Sequence, residues 1–175
     1  VRDPIEVEPT ASHDASVIWM HGLGASAHDF ADMPRIISRP GTRWIFPNAP
    51  VRPVTLNNGW KMPSWFDIRY LAGESDGERE CPIEAQESAD IISQLIEAEH
   101  SRGIPYNRIF LIGFSQGGAM SLYTGCRFHE KISEDTRTTK PIACPARQTR
   151  NLAGRACKPE KDLGTSTISL CFYFY

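Results

Sequence analysis

No apolar run in the sequence approaches 18 residues, so nothing reads as a transmembrane helix, and no stable membrane insertion is expected. The opening Val1-Arg2-Asp3-Pro4-Ile5-Glu6 lacks the basic-then-apolar pattern of a signal peptide. Cys81, Cys126, Cys144, Cys157 and Cys171 are odd in number, scattered and without a C-x-x-C pair, which excludes a disulfide framework and a zinc site. A reducing cytoplasm is the setting that follows, with no metal ion expected. Basic residues never run together with interleaved aromatics, so nucleic acid is not an expected partner. Histidine is sparse, and His129 is the only one beyond residue 100.

What is present begins with Gly113-Phe114-Ser115-Gln116-Gly117, a G-x-S-x-G pentapeptide after the apolar run Arg108-Ile109-Phe110-Leu111-Ile112. A sharp strand-to-helix turn there would lift the Ser115 hydroxyl clear of a sheet, where a base and a substrate can reach it, with glycines relieving the crowding. Ser115 is the candidate nucleophile. The small residues Gly118-Ala119-Met120-Ser121 suit the helix start that such a turn requires.

A second strand, Ser16-Val17-Ile18-Trp19-Met20, runs into His21-Gly22-Leu23-Gly24. Acyl transfer needs two N–H donors aimed where negative charge develops on the carbonyl oxygen, and the N–H groups of Leu23 and Gln116 are assigned that part. The plain alternative for His21 to Gly24 is an ordinary turn between a strand and a helix.

Four stretches carry a family likeness: His21-Gly22-Leu23-Gly24-Ala25, Phe46-Pro47-Asn48-Ala49-Pro50, Met62-Pro63-Ser64-Trp65-Phe66-Asp67-Ile68 and Gly113 to Met120. In that order they resemble the small carboxylesterases and acyl-protein thioesterases, the phospholipase/carboxylesterase family, over residues 15–128. The resemblance implies a single-domain α/β-hydrolase with a Ser, Asp, His triad, no cofactor and a small ester or thioester as substrate. It matches Ser115 to the nucleophile and Leu23 and Gln116 to the oxyanion-hole donors. It does not choose among short-chain esters, lysophospholipids and acyl-thioesters, nor fix the oligomeric state.

The rest of the triad does not follow. Acid and base should come after the serine in the order Asp, then His. No Asp or Glu lies between Ser115 and His129, and Asp135 and Asp162 are the only aspartates beyond. About 14 residues of helix at 1.5 Å each would put His129 some 20 Å from Ser115, outside hydrogen-bond reach. His21 reads as orienting the oxyanion loop and His28 as exposed at a helix start. With neither acid nor base found, the expectation is impaired catalysis or a catalytically inactive, hydrolase-like remnant that binds acyl ligands or partners.

Formal charge changes where the resemblance stops. Residues 1–128 carry 11 Lys/Arg against 16 Asp/Glu, and residues 129–175 carry 8 against 5. The tail shows no sustained helix or strand period and is broken at Pro141, Pro145 and Pro159. It reads as an altered frame or other replacement of the family's C-terminus, leaving residues 1–128 as the N-terminal part of one hydrolase domain and 129–175 as a non-matching, irregular tail. Thr165 to Tyr175 alone has strand propensity, as an added edge strand or a sticky end.

Elsewhere Ser26 to Ser38 reads as a short helix interrupted at Pro34, and Arg43-Trp44-Ile45-Phe46 as a strand. Val51 to Gly77 reads as a long loop carrying Trp60, Trp65, Phe66 and Tyr70. Its aromatics either roof an acyl pocket, Trp60, Trp65 and Phe66 touching substrate, or anchor the loop to the core. Pro82 to Arg102 is the clearest helix, with Ala85, Ala89, Ile92 and Ile96 on one stripe and Gly103 ending it. The order of elements fits an α/β chain with a mostly parallel sheet flanked by helices, its C-terminal strands missing or replaced. Without those strands the edge of the Ser115 strand would face water.

Overall fold

The computed structural model describes residues 3–70, 80–135 and 169–173, and side chains up to residue 128. Its main sheet has five strands: β1 (Ile5–Val7), β2 (Ala15–Met20), β3 (Thr42–Phe46), β6 (Ile109–Phe114) and β7 (Ser169–Tyr173). They lie in the order β1-β3-β2-β6-β7. Only β1 runs antiparallel to its neighbour; β3, β2, β6 and β7 are mutually parallel. A parallel sheet is covered on both faces, which is why β2 and β3 are buried at every position and mostly apolar, with Ser16, Thr42 and Arg43 the polar residues at their starts.

Two helices cover one face: α2 (Pro82–Ser101) and α3 (Gln116–Asp135). Ala85, Ala89, Ile92 and Ile96 of α2 meet Ile18, Met20 and Leu111 of the sheet and Met120 of α3. Each isoleucine, leucine or methionine side chain so buried contributes about 1.5–3 kcal/mol. Gly103 takes φ 96° just past α2, the left-handed position that closes a helix. On the opposite face Val17, Trp19, Trp44 and Phe46 pack with Phe30 and Met33. Among the described residues no helix is long and apolar enough to cross a membrane.

Four details differ from the sequence reading. The helical stretch Ser26 to Ser38 is interrupted as expected but just before Pro34: a 3-10 turn (Ala27–Phe30) precedes α1 (Met33–Ile37), and Pro34 sits in the first turn of α1, where its missing N–H costs nothing. The stretch from Val51 is not all loop, because β4 (Val51–Val54) and β5 (Trp60–Pro63) pair as an antiparallel hairpin. Residues 129–135 continue α3 instead of opening an irregular tail. Beyond them, Ser169–Tyr173 is the added edge strand of the two readings for Thr165 to Tyr175: it pairs with Phe110–Phe114, so the edge of β6, expected to face water, is covered. The three tail prolines, Cys144, Cys157, Asp162 and the end of the aromatic loop at residues 71–77 lie outside the described residues.

A buried ion cluster lies at the N-terminal end of the parallel strands. Arg43, only 2% exposed, donates to Glu99 at 2.5 Å, Glu6 at 2.6 Å and Glu8 at 2.9 Å. Glu99 also accepts from the Ser16 hydroxyl at 2.6 Å. Burial works against the Arg43 charge, but the three carboxylates outweigh it and hold its pKa above the ordinary value. The cluster is at the opposite end of β2 from His21 and joins β1, β3, β2 and α2.

Candidate active site

Ser115 is the single residue between β6 and α3, and its φ is +52°. Left-handed backbone is unfavourable for a residue with a side chain and is held only where its surroundings fix it. Here the fixing is steric. A Cβ on Gly113 would lie 2.2 Å from the Gly117 carbonyl, and one on Gly117 would lie 2.3 Å from the Met20 carbonyl oxygen and 2.6 Å from that of His21. The strand therefore reverses into the helix with no room for side chains, and the turn rests directly on the end of β2. Ser115 is left exposed, and the Ala119 N–H donates to its carbonyl at 3.2 Å as α3 begins.

Contact between Gly117 and the end of β2 also brings the His21–Gly24 loop to the turn. Gly24 takes φ +73° and donates its N–H to Pro63 O at 2.9 Å; Ala25 closes a turn onto Gly22 O at 3.2 Å. Among the described residues the Leu23 N–H has no acceptor. The Gln116 N–H is at the first position of α3, where a helix offers no acceptor of its own. Among the described residues neither N–H has an acceptor, and the two lie on the segments that Gly117 presses together.

The residues around them form one polar network. The imidazole of His21 is 1% exposed; its Nδ1–H donates to Gly22 O at 2.7 Å, and its Nε2 accepts from the Ala49 N–H at 3.0 Å. Both nitrogens are engaged and the ring is neutral, as burial holds its pKa below the ordinary 6.5 while the Gly22 carbonyl and Asp29 oppose that shift. His21 therefore orients the loop and has no lone pair to offer Ser115. Asn48 accepts from the Ala27 N–H at 3.0 Å and holds the segment after the loop. Ser64 donates its N–H to Pro50 O at 2.9 Å.

Trp65 is fully buried and Phe66 is 4% exposed. The Trp65 indole donates to His21 O at 2.8 Å, and its carbonyl accepts from the Ser88 hydroxyl of α2. These two aromatics anchor the segment to the core and present no open face to a substrate. Trp60 differs: on β5 it is 74% exposed, two residues from Met62, whose sulfur faces Gly24 at 3.7 Å from where a Cβ would be. All four stretches that carry the family likeness therefore meet at one end of the sheet. The parts that the motif pattern did not reveal are side chains bonding across it, Gln116, Ser64, Asn48 and Ser88.

No base joins Ser115 among the described residues. His13 bonds Ser16 at the far end of β2, His100 bonds Ile104 O beyond α2, and His28 is exposed. His129 and Asp135 are on α3, four and more turns from the serine, and their side chains are outside the description. Among the described residues no group of three His, Cys, Asp or Glu could hold a metal ion.

Comparison with known proteins agrees with this geometry. The family described as Phospholipase/Carboxylesterase matches residues 3–134, a wider span than the sequence likeness. Acyl-protein thioesterase 1 of Cryptococcus neoformans var. neoformans is 44% identical over 120 residues, covering 67% of this chain and 50% of that protein. Acyl-protein thioesterase 1 of Schizosaccharomyces pombe is 43% identical over 128 residues, covering 73% and 56%. Among solved structures, Zea mays acyl-protein thioesterase 2 superposes with a TM-score of 0.64 at 29% identity, over 73% of this chain and 52% of that one. Arabidopsis thaliana SOBER1 does so with a TM-score of 0.58 at 30% identity, over 65% and 55%. The chain spans about half the length of the curated relatives it matches.

Proposed function

The chain belongs to the phospholipase/carboxylesterase family, and from that premise we propose that it is built as a serine carboxylic-ester hydrolase of the carboxylesterase and acyl-protein thioesterase type. The observation that carries this reading is Ser115, exposed at φ +52° between β6 and α3 with two candidate oxyanion donors beside it. In the proposed reaction Ser115 Oγ attacks the carbonyl carbon of a small ester or thioester while a base takes its proton. The carbonyl π electrons move to oxygen, where the Leu23 and Gln116 N–H groups bind the developing charge. Collapse expels the alcohol or thiol, and water repeats the sequence to release the acid. Of Trp60, Trp65 and Phe66, Trp60 is the exposed one and is proposed to touch the acyl group, since Trp65 and Phe66 lie in the core.

Turnover by this chain is proposed to be impaired. Losing the histidine of a working triad costs on the order of 10⁶ in turnover, and the described histidines do not supply one. The engaged nitrogens of His21 also favour a second reading, a hydrolase-like remnant that binds acyl ligands or partners without converting them. Hydrolysis of a short p-nitrophenyl ester by the purified 175-residue chain, beside Ser115→Ala, separates the two. Turnover lost in Ser115→Ala means that a base reaches the serine; rates equal to that variant leave the remnant. A cytoplasmic setting belongs to the same proposal.

A further inference from the structure

The side chain of Gln116 makes a set of bonds that the nucleophile assignment does not use. Its Oε1 accepts from the Trp65 N–H at 3.0 Å; its Nε2 donates to Phe66 O at 2.7 Å and to the Ser64 hydroxyl at 3.2 Å. Gln116 is 5% exposed, so these bonds are made away from water, where a lost partner leaves a polar group stranded. The main chain of the same residue carries one of the two proposed oxyanion donors. From Trp65 the connection continues: the indole N–H donates to His21 O at 2.8 Å, and the His21 ring ties Gly22 to Ala49. An unbroken buried path therefore joins the first residue of α3 to the loop carrying the Leu23 N–H.

We propose that the Gln116 carboxamide and the Trp65 indole are positioning residues for the oxyanion hole, fixing the separation of the Gln116 and Leu23 N–H donors through the buried Ser64–Phe66 segment. The inference rests on the nucleophile reading above. The β2–β6 ladder ends at Met20 and Gly113, and Gly117 against the Met20 and His21 carbonyls fixes the approach of the two segments just beyond it. Rotation past those contacts would still change the aim of the donors, and the carboxamide and indole supply two further points that prevent it. A donor misplaced in an oxyanion hole forfeits stabilisation specific to the tetrahedral state.

The test needs no intact triad. An alkyl trifluoromethyl ketone adds to a serine at equilibrium: a bond forms between Ser115 Oγ and the ketone carbon, the carbonyl electron pair moves to oxygen, and the hydroxyl proton goes to solvent. The ¹⁹F signal of the adduct reports both its affinity and the pKa of its hemiketal hydroxyl. In Gln116→Glu the introduced carboxylate keeps the acceptor for Trp65 and loses the donor to Phe66. The expected result is an adduct weakened about 10²-fold, the order seen on losing an oxyanion donor, with its hemiketal pKa raised. Trp65→Phe keeps a ring in the core and deletes the indole N–H, and it serves if the first variant does not fold; the same two changes are expected. Loss of melting temperature with adduct affinity and hemiketal pKa equal to the parent chain would overturn the positioning role and leave Ser115 as nucleophile. No adduct in the parent chain, judged against Ser115→Ala, would overturn the nucleophile reading and the positioning role with it.

Discussion

Gly117 turns its bare Cα to the main-chain carbonyl of Met20, so closely that a Cβ would lie 2.3 Å from the oxygen. Neither partner can give way, since one is the first turn of α3 and the other the end of the central strand. Gly117→Ala is therefore expected to lower stability by at least the 1–3 kcal/mol typical of overpacking and to displace Ser115. Gly59 is the control: its φ is left-handed at 75°, unlike that of Gly117, but a Cβ there meets nothing within 4 Å. Gly59→Ala should show only the backbone strain, about 1 kcal/mol. Urea denaturation of both variants checks the ordering, and equal losses would contradict it.

What the sequence made legible follows the same physics. Strands β2, β3 and β6 and helix α2 are buried on long apolar faces, so their residues announce them. Hairpin β4–β5 escaped because its strands are short and mostly unburied, with Pro53 inside one and Pro63 ending the other, even though Asn58-Gly59 is a strong hairpin signal; both take left-handed φ. Ser115, Leu23 and Gln116 could be named from motif order alone. The Gln116 side chain could not, because its partners are some 50 residues away in the chain. The Arg43–Glu99 pair, 56 residues apart, left no local pattern either.

That pair carries the second prediction. Glu99→Gln leaves the Arg43 guanidinium at 2% exposure without its buried counter-charge, and breaking such a pair costs about 3–5 kcal/mol. Replacing both by apolar residues of similar volume should cost less than Glu99→Gln alone, because no charge is then stranded. Denaturation of the single and double variants decides it; additive losses would refute the argument.

Acid should loosen the same cluster from its exposed side. Hydrogen bonding to Arg43 holds the Glu8 pKa below the ordinary 4.5. Between the folded value and 4.5 the unfolded chain binds more protons than the folded one, so stability present above that window is lost as pH falls through it. Arg43→Met should flatten this part of a stability-versus-pH curve, whereas an unchanged slope would remove Glu8 as its source.

His21 sets a second window. Burial lowers its pKa from 6.5, so the unfolded chain takes up a proton near pH 6.5 that the folded chain refuses until lower pH. The contribution is complete above pH 6.5 and declines as pH falls toward the folded value. Protonation would also set an Nε2–H against the Ala49 N–H, two donors facing each other. Melting temperatures recorded from pH 8 downward should begin to fall near 6.5 and should fall less in His21→Asn. Parallel curves for the two proteins would place the titration elsewhere.

Trp60 and Trp65 sit five residues apart and should respond in opposite ways. Trp65 is fully buried, and Trp65→Ala removes a core side chain together with its bond to His21 O, for an expected loss of about 3–5 kcal/mol. Trp60 is 74% exposed on β5, and Trp60→Ala should leave stability within about 0.5 kcal/mol. Residues two apart on a strand share a face, so Trp60 lies on the side of β5 from which Met62 faces Gly24, in the loop proposed to carry an oxyanion donor. Trp60→Ala should therefore weaken binding of a long-chain trifluoromethyl ketone while leaving a methyl one unchanged. Equal effects on the two probes would show that Trp60 does not contact the chain, and the acyl group would have to lie along another part of the surface around Ser115.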